Sequence, residues 1–477
     1  MTNYKTFLKW PKNLSVLEKA KEKIGNTGHS ILIVPPYSLP SSINNNTGCG
    51  SFLSNESKEF FDFAKLYWGI NCVQFLPTGY IPARKGSFYP YSGSSLDLGN
   101  IAIDLNKLIS DEYGKLLTDD DIKNVIDSNN RTDKDIHINF ETTVPSNSPF
   151  DGTLRKAFDE LSKRDTPQKE KLYNEMNSYI TENKDWLERK SIYQALGKKN
   201  GYYIYESTNW NNTERHLFNS DVVSDMEKTK LIELIEKTPK LANERKFYMF
   251  KQFIADKHLS ELKTSFNNQK IKLYGDMVVG CSRDEQWMFP KAFYQDCKLP
   301  WGLNAINFDT EEGQKFFRLK VRNYAKRFDG IRVDASWLYV NQKLNNNTTK
   351  FYNDKILKII EEEFKKIKGE DFDLQNIMHE FEANTVDYNI YDSNSKLKSE
   401  VKDRVKIYKT NHMSLDWGSV KAYKKRGWTD GTYVLGVTNH DSESLKELYK
   451  DCTKRNKQIN ALSEALNIPK ENLQTEQ

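Results

Sequence analysis

Between residues 247 and 380 the chain alternates helical and strand patterns. Helical periodicity spans 247–266, 312–327 and 351–367, and short apolar runs span 272–279, 330–334 and 376–380. Such alternation makes the strands parallel, because each helix carries the chain back over one face of the sheet before the next strand begins. The same unit occurs earlier. Ile31-Leu32-Ile33-Val34, stopped by Pro35-Pro36, precedes a helix whose apolar face is Phe60, Phe61, Phe63, Ala64, Tyr67 and Trp68, and a second strand over 71–76 ends at Pro77. Candidates at 405–408 and 433–438 bring the strand count to seven. Beyond them only a charged helical stretch over 442–466 is legible, and an eighth strand is not identified. The expected fold class is therefore α/β, a (β/α)8 TIM-type barrel with an inserted subdomain. Residues 1–104 start the barrel and carry a long loop rich in Gly, Ser, Tyr and Pro. Residues 105–242 are a polar, mainly helical insertion, and 243–477 complete the barrel and carry an acidic site.

The 477 residues are 37% hydrophobic and 29% charged, ordinary for a globular chain and enough for one large barrel with elaborations. Basic residues number 71 and acidic ones 66, interspersed, so the net charge of +5 marks neither a nucleic-acid nor a membrane-surface partner. The cysteines, Cys49, Cys72, Cys281, Cys297 and Cys452, form no C-x2-C pair and are odd in number, which reads as reduced thiols rather than a disulfide framework or a zinc site. No basic segment with a following apolar run opens the chain, and no apolar run approaches about 18 residues. A cytoplasmic location is expected.

In a parallel barrel the active site lies at the C-terminal ends of the strands, so carboxylates at those ends are the ones to weigh. One strand carries Asp276 and leads to Ser282-Arg283-Asp284; the next ends Arg332-Val333-Asp334; the next His379-Glu380; the last Asn439-His440-Asp441. Arg332 and Asp334, two apart, share one face of a strand, and a neighbouring guanidinium keeps a carboxylate ionised, as a nucleophile requires. Glu380 needs the opposite tuning, so that it protonates a leaving oxygen and then deprotonates an acceptor. Retaining glycosidases hold two such carboxyl groups about 5–5.5 Å apart, which neighbouring strands about 4.8 Å apart provide. Each fragment also has a plainer reading. Arg332 and Asp334 alone make a surface ion pair, Asp441 alone caps the helix that starts near Ser442, and Glu382 competes with Glu380 for the acid role. Their occurrence in order, each at a strand end, selects Asp334 as nucleophile, Glu380 as general acid/base and Asp441 as third carboxylate, with His440 holding sugar hydroxyls.

That order resembles the active-site regions of the α-amylase clan, and in detail the 4-α-glucanotransferases, also called amylomaltases or disproportionating enzymes. Leu76-Pro77-Thr78-Gly79-Tyr80, Ser87-Phe88-Tyr89-Pro90-Tyr91-Ser92 and Gly99-Asn100-Ile101-Ala102-Ile103-Asp104-Leu105 resemble that family's Leu-Pro-Leu-Gly-Pro-Thr-Gly, Ser-Pro-Tyr and Gly-Asn-Pro-Leu-Leu-Ile-Asp-Leu. The resemblance implies that Tyr91 lies in the substrate groove. Gly275-Asp276 followed by Asp284 and Trp287 is similar to the family's Gly-Asp-Ile-Pro-Ile strand and Asp-Ser-Ala-Asp-Val-Trp turn, which implies substrate contacts for Asp284 and Trp287. Trp301-Gly302 resembles the Trp-Gly before the nucleophile strand. The chain departs from the family where Ala335, not His, follows Asp334, and in lacking the family's C-terminal Asn-Trp-Arg-Trp-like ending.

The expected activity is transfer of α-1,4-glucan segments between malto-oligosaccharides or glycogen-type glucans through a glucosyl-Asp334 intermediate. The partner is then an α-glucan, with no metal and no cofactor. Hydrolysis at the same site is the runner-up, and a non-catalytic glucan- or partner-binding protein on the same scaffold is the alternative from another class. A metal-dependent hydrolase is disfavoured, because His379, His412 and His440 lack short-range ligand spacing.

Overall fold

The structure, a computed structural model, describes residues 30–41, 46–48, 51–80, 90–129, 148–201, 204–344, 349–352, 355–380, 393–394, 396, 406–408, 433–434, 456, 459–460, 463 and 469–470. Among these, seven strands form one parallel sheet: β1 (Ile31–Val34), β2 (Cys72–Phe75), β3 (Lys272–Met277), β4 (Gly330–Val333), β5 (Ile377–Glu380), β6 (Lys406–Tyr408) and β7 (Tyr433–Val434). Each pairs with the next in chain order, the (β/α)8-type arrangement expected from the alternation, and no pairing of β7 with β1 is described. The expected strand over 433–438 is described only at its first two residues. Most of the expected helix at 442–466 lies outside the described residues.

Alternation along the strands separates two cores. Val73, Phe75, Leu273, Met277, Ile331 and Val333 belong to the large core shared with the helices. Cys72, Tyr274 and Met378, with Ile31 and Ile33 against them, form a separate cluster on the other face, the barrel interior. Gly330 has no side chain because the interior leaves no room for one: a Cβ there would lie 2.4 Å from the Asn376 carbonyl oxygen and 2.7 Å from the Tyr274 ring. The Tyr274 hydroxyl donates to Asn376 Oδ1 at 2.6 Å and Lys272 Nζ donates to the same oxygen at 2.7 Å. These groups floor the interior at the N-terminal ends of the strands.

The helices begin and end on local chemistry. In α1 (Asn55–Trp68) the Ser54 hydroxyl accepts the Ser57 N–H at 3.1 Å, and Gly69, at φ 64°, closes the last turn in the left-handed region. The insertion contains α2 (Asp119–Asn129), α3 (Pro149–Lys163), α4 (Pro167–Glu182), α5 (Lys184–Asn200) and α6 (Asp225–Lys237). Helices α4 and α5 are separated only by Asn183, whose side-chain amide donates to the Tyr179 carbonyl at 2.9 Å. The next helix, α7 (Pro239–Asn268), is 30 residues long, about 45 Å, and starts with Pro239 at its first turn. It runs across the domain boundary placed at 242/243, so that compositional shift is no break in the backbone. Trp186 and Leu187 of α5 and Phe247 and Phe250 of α7 lie in the same core cluster as the barrel strands. The insertion's polar composition therefore describes its outer surface, while its inner faces complete the barrel's core. The barrel continues with α8 (Glu311–Arg327) and α9 (Lys355–Lys368).

Among the described residues Cys72 and Cys281 are buried and Cys297 is half-buried, and no helix is long and apolar enough to cross a membrane.

Candidate active site

The barrel interior turns from apolar to polar toward the C-terminal ends of the strands. Asp276 of β3 and Arg332 of β4 are register partners, and Nη1 of Arg332 lies 2.7 and 2.9 Å from the two Asp276 carboxylate oxygens. The same nitrogen lies 2.9 Å from Asp334 Oδ1 and donates to the Tyr91 hydroxyl at 3.2 Å. Tyr91 in turn donates to Asp276 Oδ2 at 2.7 Å. Gln74 of β2 reaches that carboxylate at 3.5 Å. The side chain of Asp276 is 0% exposed and that of Arg332 5%, whereas Asp334 keeps 17%. Of the two carboxylates beside the guanidinium, Asp334 is the one a substrate can approach. Burial, reinforced by the Asp276 charge, pushes the Tyr91 phenol well above its usual range, so it remains a hydrogen-bond donor.

Asp334 leaves the sheet in a turn with Ala335 and Ser336. Its N–H still completes the ladder, donating to the Met277 carbonyl at 3.0 Å. Ala335 has φ 41°, a left-handed conformation uncommon for a residue with a side chain and found at sites where the surroundings over-determine the backbone. The surroundings here are specific. Ser336 Oγ donates to the Val333 carbonyl at 2.9 Å and lies 2.9 Å from His379 Nδ1. A hydroxyl has one proton to give, so Nδ1 of His379 is the donor in the second contact. Burial pushes His379 down to about 3, which keeps the ring neutral.

Glu380 is the last residue of β5 and pairs with Tyr408 of β6. Val333 pairs with His379, so Asp334 and Glu380 are the next residues on adjacent strands, at one level of the sheet's C-terminal edge. His440, Asp441, Glu382 and Tyr89 lie outside the described residues.

The structure gathers Arg332, Asp334 and Tyr91, and it gives Asp284 and Trp287 other partners. Asp284 accepts a close hydrogen bond from the buried ammonium of Lys190. Trp287 is 3% exposed, donates its indole N–H to the Glu214 carbonyl at 2.9 Å and packs its ring against Tyr193, Trp210 and Phe218. An indole so enclosed packs the insertion onto the barrel and presents no open face to a sugar.

The loop that delivers Tyr91 is held from behind. Glu285 Oε1 accepts the N–H groups of Ser95 and Leu96 at 2.7 and 3.1 Å and both serine hydroxyls of Ser94 and Ser95. The Gln252 side chain pairs with both backbone groups of Leu98 at 2.8 Å, and His258 Nδ1 accepts the Asp104 N–H at 3.1 Å. Gly79 is pressed against Ser94, whose carbonyl oxygen would lie 1.8 Å from any Cβ. Asp276, Glu285 and His379 are buried partners of the site's side chains and loop that motif spacing does not single out; for Asp276 the available signal is its placement on the same interior face as Arg332.

The family model for 4-alpha-glucanotransferase matches residues 34–475. Among solved structures, the chain is similar to the amylomaltase from Streptococcus agalactiae in complex with acarbose, with 16% identity, a TM-score of 0.62, and coverage of 92% of this chain and 84% of that one. It is also similar to the amylomaltase from Corynebacterium glutamicum, with 14% identity, a TM-score of 0.58, and coverage of 96% of this chain and 64% of that one. At these identities the likeness is one of fold. No curated protein matches the sequence.

Proposed function

The chain belongs to the 4-alpha-glucanotransferase family and is an enzyme of that class, and from this premise we propose that it transfers α-1,4-glucan segments by a retaining, double-displacement reaction centred on Asp334. A carboxylate oxygen of Asp334 attacks the anomeric carbon of the donor as the glycosidic C–O bond breaks. Glu380 gives its proton to the departing 4-oxygen. Glu380, now a carboxylate, takes the proton of an acceptor's 4-hydroxyl, that oxygen attacks the anomeric carbon, and Asp334 is released. His440 and Asp441 hold ring hydroxyls and favour the distorted sugar, and Tyr91 borders the groove.

The observation that carries this reading is the register of β4 with β5, which supports a facing pair formed by the residues after Val333 and His379. Neighbouring strands are about 4.8 Å apart, and the retaining mechanism needs its carboxyl groups about 5–5.5 Å apart. Arg332 supports the nucleophile role by supplying a cation 2.9 Å from Asp334. The donor class follows from the family, and since one structural neighbour was solved with acarbose, acarbose is expected to compete with maltotriose here.

The test is incubation of the purified protein with maltotriose, with products resolved by chain length. Longer oligomers plus glucose are expected. Shorter sugars alone would replace transfer by hydrolysis, and no change in wild type or in Asp334→Asn would leave the binding-protein reading. Glu380→Gln is expected to lose about 10²–10⁴-fold in rate while Glu382→Gln retains most activity; the reverse would move the acid/base by two residues.

A further inference from the structure

Among the insertion's contacts with the barrel is one buried ion pair that reaches the loop of Tyr91. Lys190, on α5, is 1% exposed, and its ammonium meets Asp97 Oδ2 at 3.0 Å and, more closely, Asp284. Both carboxylates are buried, at 0% and 7% exposure. Taking an ammonium out of water costs several kcal/mol, and an apolar side chain of the same length would pack there without that cost. The lysine is therefore explained by what it holds together. Asp284 belongs to the short helix Arg283–Met288 that follows β3, and Asp97 to the loop of Tyr91. Asp97 also accepts the Tyr80 N–H at 3.1 Å and the Tyr248 hydroxyl at 2.7 Å. With Glu285 gripping the amides of Ser95 and Leu96, residues 95–97 are strapped to one short helix by two adjacent acidic residues, one directly and one through Lys190.

From Asp97 the chain runs back through Ser94, whose N–H donates to the Tyr80 carbonyl at 3.1 Å, and Gly93, whose N–H closes the turn on the Pro90 carbonyl at 3.2 Å. That turn carries Tyr91 to Asp276 and Arg332. We infer that Lys190 is a positioning residue for glucan transfer, fixing the loop so that the Tyr91 hydroxyl meets Asp276 and Arg332 beside the nucleophile. This deepens the proposed function and rests on it.

The test compares kcat and KM for maltotriose in wild type, Lys190→Met, Asp97→Asn, Tyr91→Phe and the double variant Lys190→Met/Tyr91→Phe, with a melting curve for each. The single variants are each expected to lower kcat about tenfold or more while changing KM less, since misplacement of about 1 Å costs rates of that order. Because Lys190 acts through Tyr91, the double variant is expected to be no slower than the slower single variant. Losses that multiply, or lowered melting temperatures with wild-type kcat per folded molecule, overturn the inference. Asp97→Asn keeps the Lys190–Asp284 pair and leaves no unpaired buried cation, so it decides the matter if Lys190→Met does not fold; wild-type kcat in Asp97→Asn overturns the inference. A wild type inactive on maltotriose overturns the underlying reading together with the inference. An active wild type with unaltered variants overturns the inference alone.

Discussion

Asp276 and Asp334 share one nitrogen of Arg332: Nη1 is 2.7 Å from Asp276 and 2.9 Å from Asp334. On the proposed mechanism only the second carboxylate changes charge during turnover, when it becomes an ester. The first then remains to balance a guanidinium that is 5% exposed. Arg332 is thus never left as a lone buried cation, a state that would oppose formation of the intermediate.

Asp276→Asn removes that balance. The expected result is a fall in kcat, with a smaller change in KM, corresponding to loss of about 1.5–3 kcal/mol, the value of a hydrogen bond to a charged group. That is roughly tenfold to 150-fold in rate. Steady-state kinetics on maltotriose checks it, and an unchanged kcat would show that Arg332 does not need its second partner.

Trp287→Phe separates packing from sugar contact. The variant loses the N–H bond to Glu214 and part of a buried ring, and a destabilisation of about 2 kcal/mol is expected in urea unfolding. KM for maltotriose is expected to stay within about twofold of wild type, since a packing residue makes no ground-state contact with substrate. A raised KM at undiminished stability would restore Trp287 to the groove.

His258 and His379 are both pushed down to about 3 by burial, from an ordinary value of 6.5. Between those values the native protein binds fewer protons than the unfolded chain, so stability is full above about pH 6.5 and falls as pH drops toward 3. Each histidine contributes a slope of about 1.4 kcal/mol per pH unit within that window. Urea midpoints at pH 7 and pH 5 measure it. His258→Gln, which keeps an acceptor for the Asp104 N–H, is expected to flatten the dependence by one histidine's share.

What could be read from the sequence is what local spacing encodes. The five strands of the parallel sheet from Ile31 to Glu380 are visible as apolar runs between helical patterns, with observed ends within one or two residues of the expected ones, whereas the short hairpin strands at Phe293–Lys298, Asn304–Ile306, Asn341–Lys343 and Thr349–Phe351 are not. Arg332 and Asp334 are visible because an i, i+2 relation on a strand survives any tertiary arrangement. Relations that depend on register or on distant packing are not encoded that way. Asp276 meets Arg332 across 56 residues, and Lys190 meets Asp284 across 94. The same blindness affected Asp284 and Trp287, whose partners come from the insertion, a segment read from its polar surface with no means of seeing its buried face.

Tyr274, lying over Gly330 and bonded to Asn376, fills the described interior at the N-terminal ends of β3 to β5. Among the described residues these side chains fill that end of the interior, so a sugar chain is expected to enter and leave at the C-terminal strand ends. On the double-displacement mechanism proposed above, donor remnant and acceptor are expected to use one doorway in turn, the departing piece clearing it before the newcomer reaches the ester. On that mechanism product escape and acceptor arrival compete, and acceptor concentration, as much as chemistry, is expected to set how often the glucan is passed on.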